Sequence, residues 1–167
     1  MTQITSMTSE HWPSVREIYL AGIAGGNATF ETQAPSWHEW AVTHLKFGRL
    51  VALVNDEVKG WAALSPVSTR EVYRGVAENS VYVASDAQRL GLGRGLLKAL
   101  IAQSEANGIW MLQTSIFPEN VASIQLHLSC GFREVGHRER IAQLNGVWRN
   151  TVFMERRSKV VGVTNPH

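Results

Sequence analysis

Apolar residues recur along the chain with two periods, and the switching between them lays out an order of elements. Met1 to Met7 reads as a short strand. Val15, Ile18, Tyr19 and Gly22 then fall at i, i+3, i+4 and i+7, the spacing of one helical face. Gly22, Gly25 and Gly26 end that helix and open a loop, Asn27-Ala28-Thr29-Phe30-Glu31-Thr32. After Pro35, Ser36-Trp37-His38-Glu39 has the form of a capping box and starts a second helix. Leu50 to Val54 and Val58 to Leu64 read as a hairpin across Asn55-Asp56-Glu57, and Asn79 to Ala84 as a further strand. Beyond Ser85 and Asp86 a Gly-rich turn leads into the stripe Leu92, Leu96, Leu97, Leu100 and Ile101, a helix reaching about Asn107. Met111 to Phe117 is a strand, Val121 to Ser129 a helix, and Gly131-Phe132 a stop before another strand. Trp148 to Arg156 forms the last strand. The order β–α–α–β–β–β–α–β–α–β–β predicts one α+β (mixed α/β) domain over residues 1–156, a central mixed sheet flanked by helices. Residues 157–167, polar and basic with a Pro, read as a flexible tail.

Composition narrows the class. The length of 167 residues fits one domain, and 44% apolar with 18% charged residues excludes a disordered or collagen-like chain. Sixteen Lys and Arg against fourteen Asp and Glu leave a net charge of +2, too small to argue for nucleic acid. No apolar run approaches the ~18 residues of a membrane span, and Met1 to Met7 lacks the basic start and apolar run of a signal peptide. A single cysteine, Cys130, rules out a disulfide framework and fits a reducing compartment. A cytoplasmic protein is expected, without nucleic-acid or membrane partners. Six Trp exceed what a core of this size needs, so some are expected at a pocket or an interface. The His and Cys spacing implies no metal site.

The segment richest in chemistry runs Val81-Tyr82-Val83-Ala84-Ser85-Asp86-Ala87-Gln88-Arg89-Leu90-Gly91-Leu92-Gly93-Arg94-Gly95. A strand enters a loop whose glycines open a long helix. Glycine permits positive φ and close ligand approach. The free N–H groups of a helix start favour an anion, so the turn has the makings of a phosphate or pyrophosphate cradle. A Walker A loop would need Gly-Lys-Ser/Thr, which Gly93-Arg94-Gly95 lacks. A dinucleotide fold would need Gly-x-Gly-x-x-Gly and an acid ending a strand about 20 residues on, and neither is present.

Gln88-Arg89-Leu90-Gly91-Leu92-Gly93 instead resembles the Gln/Arg-x-x-Gly-x-Gly/Ala pyrophosphate loop of the GNAT acyltransferase superfamily. Asn120-Val121-Ala122-Ser123-Ile124-Gln125-Leu126-His127-Leu128-Ser129-Cys130-Gly131-Phe132 resembles the run that follows it in those enzymes. Asn27-Ala28-Thr29-Phe30-Glu31, Arg70-Glu71-Val72-Tyr73-Arg74-Gly75 and Val76-Ala77-Glu78-Asn79-Ser80-Val81-Tyr82-Val83 are similar to one branch, the phosphinothricin, methionine sulfoximine and methionine sulfone N-acetyltransferases. Ala77 replaces the Val usual there. Asn145-Gly146-Val147-Trp148-Arg149-Asn150-Thr151-Val152-Phe153-Met154 resembles the branch's Gly-x-Trp-x-Asp-x-x-x-Met run, with Asn150 in place of Asp.

The resemblance implies acetyl-CoA as acetyl donor, a small amino acid as acceptor, and a homodimer with the last region at a two-fold interface. It implies that the main chain of Val81, Tyr82 and Val83 holds the pantetheine arm, with the Val81 or Val83 N–H facing the thioester oxygen. The turn Arg89-Leu90-Gly91-Leu92-Gly93-Arg94 would take the pyrophosphate, and Asn120 and Ser123 would complete the cofactor side. Asn120 also suits a helix N-cap, and both roles are compatible. Glu78 is the candidate general base, since an acid among apolar strand residues can have a raised pKa. A Glu paired with Arg for structure is the alternative. His127 stands where many relatives carry a Tyr proposed to protonate the leaving thiolate. Arg70 and Arg74, with Tyr73, would clamp acceptor oxygens, because Arg pairs bidentately with carboxylate and phosphinate; solvated surface charges are the plain alternative. Phe30 and Glu31 lie on a Gly-flanked loop suited to binding, and Asn79, Ser80 and Thr151 complete the expected acceptor set. Cys130 has no partner spacing for an acetyl-cysteine route, so direct transfer in a ternary complex is expected. The same fold acting on another amine or a peptide N-terminus, and a non-catalytic acyl-CoA sensor, remain as alternatives.

Overall fold

A computed structural model describes residues 1–165. The elements follow the expected order: β1 (Thr2–Ser6), α1 (Trp12–Gly25), α2 (Trp37–Thr43), β2 (Leu50–Val54), β3 (Glu57–Pro66), β4 (Val76–Val83), α3 (Leu92–Ala106), β5 (Met111–Ile116), α4 (Val121–Ser129), β6 (Arg133–Leu144) and β7 (Val147–Arg157). Local chemistry accounts for several boundaries. Gly26 closes α1 at φ +78°, a left-handed cap that glycine takes without strain. Ser36 Oγ accepts from Glu39 N at 3.2 Å and donates to Glu39 Oε1 at 3.0 Å, fixing the start of α2. Asn55 and Asp56 both have positive φ, the geometry of a tight two-residue turn, so Glu57 belongs to β3 rather than to the loop.

The strands form one sheet in the order β1-β2-β3-β4-β5-β7-β6, antiparallel throughout except between β4 and β5. Strand alternation sends neighbours to opposite faces. On one face, Leu50, Ala52, Ala62, Leu64, Ala77 and Leu112 pack with the stripe of α3 and with Ile124 and Leu126 of α4. Val51, Trp61 and Ala63 face the other way, against Trp12, Val15, Ile18 and Trp40 of α1 and α2. Trp12 and Trp40 lie 5.4 Å apart and Trp40 and Trp61 5.9 Å, while Tyr82 stacks on Trp61 at 4.7 Å. Most of the tryptophans therefore build a second core, whereas some were expected at a pocket or an interface; Trp148 is exposed.

β4 begins three residues before the expected Asn79. Val76, Ala77 and Glu78 are the residues that pair with Met111, Leu112 and Gln113 of β5. Just before them, Gly75 lets the chain pass under an indole, and a Cβ there would stand 2.0 Å from Trp110. At the other end β7 runs through Arg157. Ser158 is buried, its Oγ donating to Glu105 Oε2 at 2.5 Å and accepting from Val160 N and Val161 N. The expected tail thus starts on residues that are hydrogen-bonded to the domain, and Pro166 and His167 lie outside the described residues. Gly75→Ala is expected to cost about 1–3 kcal/mol by overpacking against Trp110, read as a lower urea midpoint with an unchanged m-value.

Candidate active site

The site is made by a fork in the sheet. β4 pairs with β3 from Ala77 to Val83 without a break, and β5 pairs with β7 from Met111 to Ile116. Between β4 and β5, however, pairing stops after Glu78 and Gln113. Ala84 N donates to Lys59 O at 2.8 Å. By alternation the N–H groups of Tyr82 and Ser80 also turn toward β3, whereas those of Val81 and Val83 turn into the fork. Gln88 Nε2 occupies the Val83 carbonyl at 3.0 Å. Of the three residues expected to offer main chain, Val81 and Val83 keep a free N–H, and Tyr82 contributes its ring to the aromatic stack instead.

The fork leads to the start of α3. Arg89 and Gly91 hold positive φ, and the first helical bond runs from Gly95 N to Gly91 O at 3.0 Å. The N–H groups of Leu92, Gly93 and Arg94 therefore point out of the helix start, where its dipole favours an anion. Gly93 lies against α4, and a Cβ there would stand 3.2 Å from Leu126 Cδ2. The Leu92 side chain is buried as an anchor and Leu90 is exposed. Among the described residues neither Arg89 nor Arg94 has an ion-pair partner. A fork with unpaired main chain that opens on such a helix start fits an extended arm ending in a diphosphate.

A cavity of about 270 Å³ lies at the fork, walled by β4 from Glu78 to Tyr82, by the loop residues Thr29, Phe30 and Glu31, and by Thr114, Asn120, Ser123, His127 and Thr151. Glu78 stays open to solvent as a residue, yet the protein around its carboxyl desolvates the charged form and raises its pKa. Tyr82 is raised further, chiefly by burial and also by the nearby Tyr19 and Glu31. Arg70, Tyr73 and Arg74 do not reach this wall. The Arg70 guanidinium sits 5.5 Å from the Tyr73 ring, and Arg74 sits 5.4 Å from Trp110 and 3.6 Å from Glu71. Among the described residues no Lys or Arg lines the cavity.

Glu78 and Asn79 face opposite sides of β4, and the helix side is occupied by a closed polar pair. His127 is buried, with Nδ1 2.7 Å from Ser123 O and Nε2 3.0 Å from Asn79 Nδ2. A carbonyl can only accept, so Nδ1 carries the proton and Nε2 is a lone pair that accepts from the Asn79 amide. Burial, partly opposed by the Ser123 bond, lowers the His127 pKa below the ordinary value of 6.5. In this arrangement the one ring proton of His127 is held by Ser123 O and Nε2 accepts, so the acid role expected for it is not set up; the ring orients Asn79. Among the described residues Asn79 Oδ1 is left buried without a partner, as is Thr151 Oγ1. Asn120 caps α4 through Ser123 N at 3.2 Å and spends an amide proton on Asn27 O at 3.1 Å. Asn150 Oδ1 accepts from Arg140 N at 2.8 Å, beside the β6 bulge, which gives the uncharged residue a structural use.

A model of the acetyltransferase (GNAT) family matches residues 9–132. The chain belongs to that family. It is 33% identical over 150 residues to a phosphinothricin N-acetyltransferase of Alcaligenes faecalis, covering 86% of this chain and 76% of that one. Over 119 residues it is 35% identical to an L-methionine sulfoximine/L-methionine sulfone acetyltransferase of Pseudomonas aeruginosa, covering 70% and 69% of the two chains. The structure superposes with a TM-score of 0.89 on a phosphinothricin acetyltransferase of Sinorhizobium meliloti solved with acetyl-CoA, at 29% identity over 99% of this chain and 93% of that one. The protein is an acetyl-CoA-dependent N-acetyltransferase, and acetyl-CoA is its acetyl donor. Among the described residues no helix is long and apolar enough to cross a membrane.

One half-buried and one buried histidine make stability pH-dependent. His44 and His127 both have pKa values lowered chiefly by burial, so below about 6.5 the unfolded chain binds protons that the folded chain refuses. Their contribution is whole above 6.5 and is lost as pH falls toward the lowered folded values. The urea midpoint should therefore fall between pH 7 and pH 6, and His127→Gln should flatten that slope.

Proposed function

We propose that the protein acetylates the α-amino group of a small amino acid with a polar, oxygen-bearing side group, of the phosphinothricin, methionine sulfoximine or methionine sulfone type. Transfer is direct, with donor and acceptor bound together. The observation that carries the reading is Glu78, a carboxylate with a raised pKa placed where β4 leaves β5 and facing the cavity. The named activities of the 33% and 35% identical relatives support the acceptor class.

In this reading the Val81 N–H, or that of Val83, polarises the thioester carbonyl, while Leu92, Gly93, Arg94 and the Arg89 side chain hold the diphosphate. Glu78 takes the proton from the acceptor ammonium, directly or through water, and releases the nitrogen lone pair. The nitrogen bonds to the carbonyl carbon, the carbon–sulfur bond breaks, the nitrogen gives its second proton to solvent, and the thiolate leaves with the electron pair and collects a proton from solvent. Phe30, Glu31, Ser80, Asn79 and Thr151 shape the acceptor end. Ser123 supports the cofactor side through its contacts with Asn120 and His127. The exposed Val147, Trp148 and Ile141 of the β6–β7 hairpin are assigned to a homodimer interface, and acetyl-CoA dependence with one free cysteine fits the cytoplasm.

A second reading has one observation in its favour. Glu31 and Glu78 line the cavity and, among the described residues, no Lys or Arg does, a charge balance that suits a cationic amine. For the anionic acceptor, Arg70 or Arg74 must swing from its aromatic partner.

Thiol release from acetyl-CoA should be seen with methionine sulfoximine, methionine sulfone or phosphinothricin. Release only with spermidine or a peptide rejects the acceptor class, and no release with any of them argues for a sensor. With the active acceptor, Glu78→Gln should lower kcat about a hundredfold with acetyl-CoA KM unchanged. The acidic limb of kcat should lie above the ordinary glutamate range. An unchanged acceptor KM in Arg74→Ala would remove Arg74 from the site. Arg89→Ala with Arg94→Ala should raise acetyl-CoA KM roughly tenfold and leave kcat nearly constant.

A further inference from the structure

Arg149 on β7 reaches back across the chain to the loop that walls the cavity. Its Nη1 donates to Gly26 O at 2.9 Å, and its Nη2 donates to Asn27 Oδ1 at 2.7 Å and Glu119 Oε2 at 3.2 Å. The guanidinium lies over the Phe117 ring, 3.9 Å from its centroid. Phe117 in turn meets Phe30 edge to face at 4.8 Å, and both rings line the cavity. One planar cation thus grips the loop twice, at its root through Gly26 and Asn27 and further along through Phe117 to Phe30. Asn120 holds the same root from α4 through Asn27 O.

We infer that Arg149 is a positioning residue for the acceptor: it sets the loop from Asn27 to Glu31 against Phe117 and so fixes the wall that the acceptor meets. The inference rests on reading the cavity as the acceptor site. The guanidinium is suited to the task because its fork satisfies a carbonyl and an amide oxygen at fixed spacing while its face stacks on an arene. A lysine has one point of attachment and cannot do all three. The Arg149 side chain is only 15% exposed, so its contacts are shielded from competing water, whereas Glu119 is 58% exposed and its share of the pairing is screened. The fork–loop contacts, rather than the ion pair, hold the loop.

The test compares wild type with Arg149→Met, Arg149→Lys and Glu119→Gln in the full chain. Peptide-level amide exchange over residues 27–31, without substrate, should quicken about tenfold in Arg149→Met, by less in Arg149→Lys, and not at all in Glu119→Gln. With the active acceptor, Arg149→Met should raise acceptor KM roughly tenfold and leave acetyl-CoA KM within about twofold, with Arg149→Lys between. Unchanged exchange, or faster exchange with an unchanged acceptor KM, overturns the inference. So does a parallel rise in both KM values with a large fall in melting temperature, which marks a merely structural residue. If wild type acetylates none of the compounds tried, the acceptor reading fails, and unchanged exchange would still refute the loop clamp on its own.

Discussion

The end of main-chain pairing between β4 and β5 is the constraint on which the rest of the molecule turns. Each strand is committed on its outer side, β4 to β3 as far as Val83 and β5 to β7 as far as Ile116. Neither can bend back to close the gap without breaking its own ladder. Past Glu78 and Gln113 the main-chain groups of β4 on that side therefore have no strand to bond, apart from the Val83 carbonyl that Gln88 takes. Backbone groups left unpaired away from water cost about 1–3 kcal/mol each. A fork is tolerable where water or an extended amide-bearing chain can enter, and a pantetheine arm carries amide donors and acceptors as a peptide does.

Strand alternation then divides the labour. Even-numbered residues of β4, Glu78, Ser80 and Tyr82, look toward α1 and its loop. Odd-numbered ones, Asn79, Val81 and Val83, look toward α3 and α4. Glu78, the proposed base, and Asn79, which His127 orients, are thus neighbours in sequence that face opposite sides of the strand. The same burial that raises Glu78 lowers His127, since desolvation always penalises the charged form, carboxylate or imidazolium. A proton-accepting acid and a neutral histidine follow from one cause.

The element order was readable because periodicity is local: the stripe of α3 and the run from Val121 to Ser129 carry their own signal. The start of β4 was not, because Glu78 and Asn79 interrupt the apolar run at the place where the strand becomes a site. The Gly-rich turn into α3 was legible because glycines and a helix start are neighbours in sequence. The Asn79–His127 pair spans 48 residues and the Arg149–Asn27 contact 122, and nothing near either end announces its partner. His127 illustrates the limit. Its position in a motif gave it a proton to donate, and only the carbonyl of Ser123 on one nitrogen and an amide on the other show that it is spent. The alternation of β4 did carry one unused signal, the exclusion of the Tyr82 N–H from the fork.

The two buried oxygens without partners bear on what the cavity is built to hold. Asn79 Oδ1 cannot turn away, because its amide nitrogen is required by the lone pair on His127 Nε2. It is therefore a fixed acceptor, and Thr151 Oγ1 nearby is free to accept or donate. With Glu31 and Glu78 also in the wall, the cavity offers several acceptors and, among the described residues, no Lys or Arg donor, which matches the N–H groups of an amine. A ligand that brings only oxygens would leave Asn79 Oδ1 unsatisfied and would face two carboxylates. On the proposed reading, the acceptor therefore turns its amine inward to Glu78 and keeps its oxygen-bearing group away from the two acidic side chains.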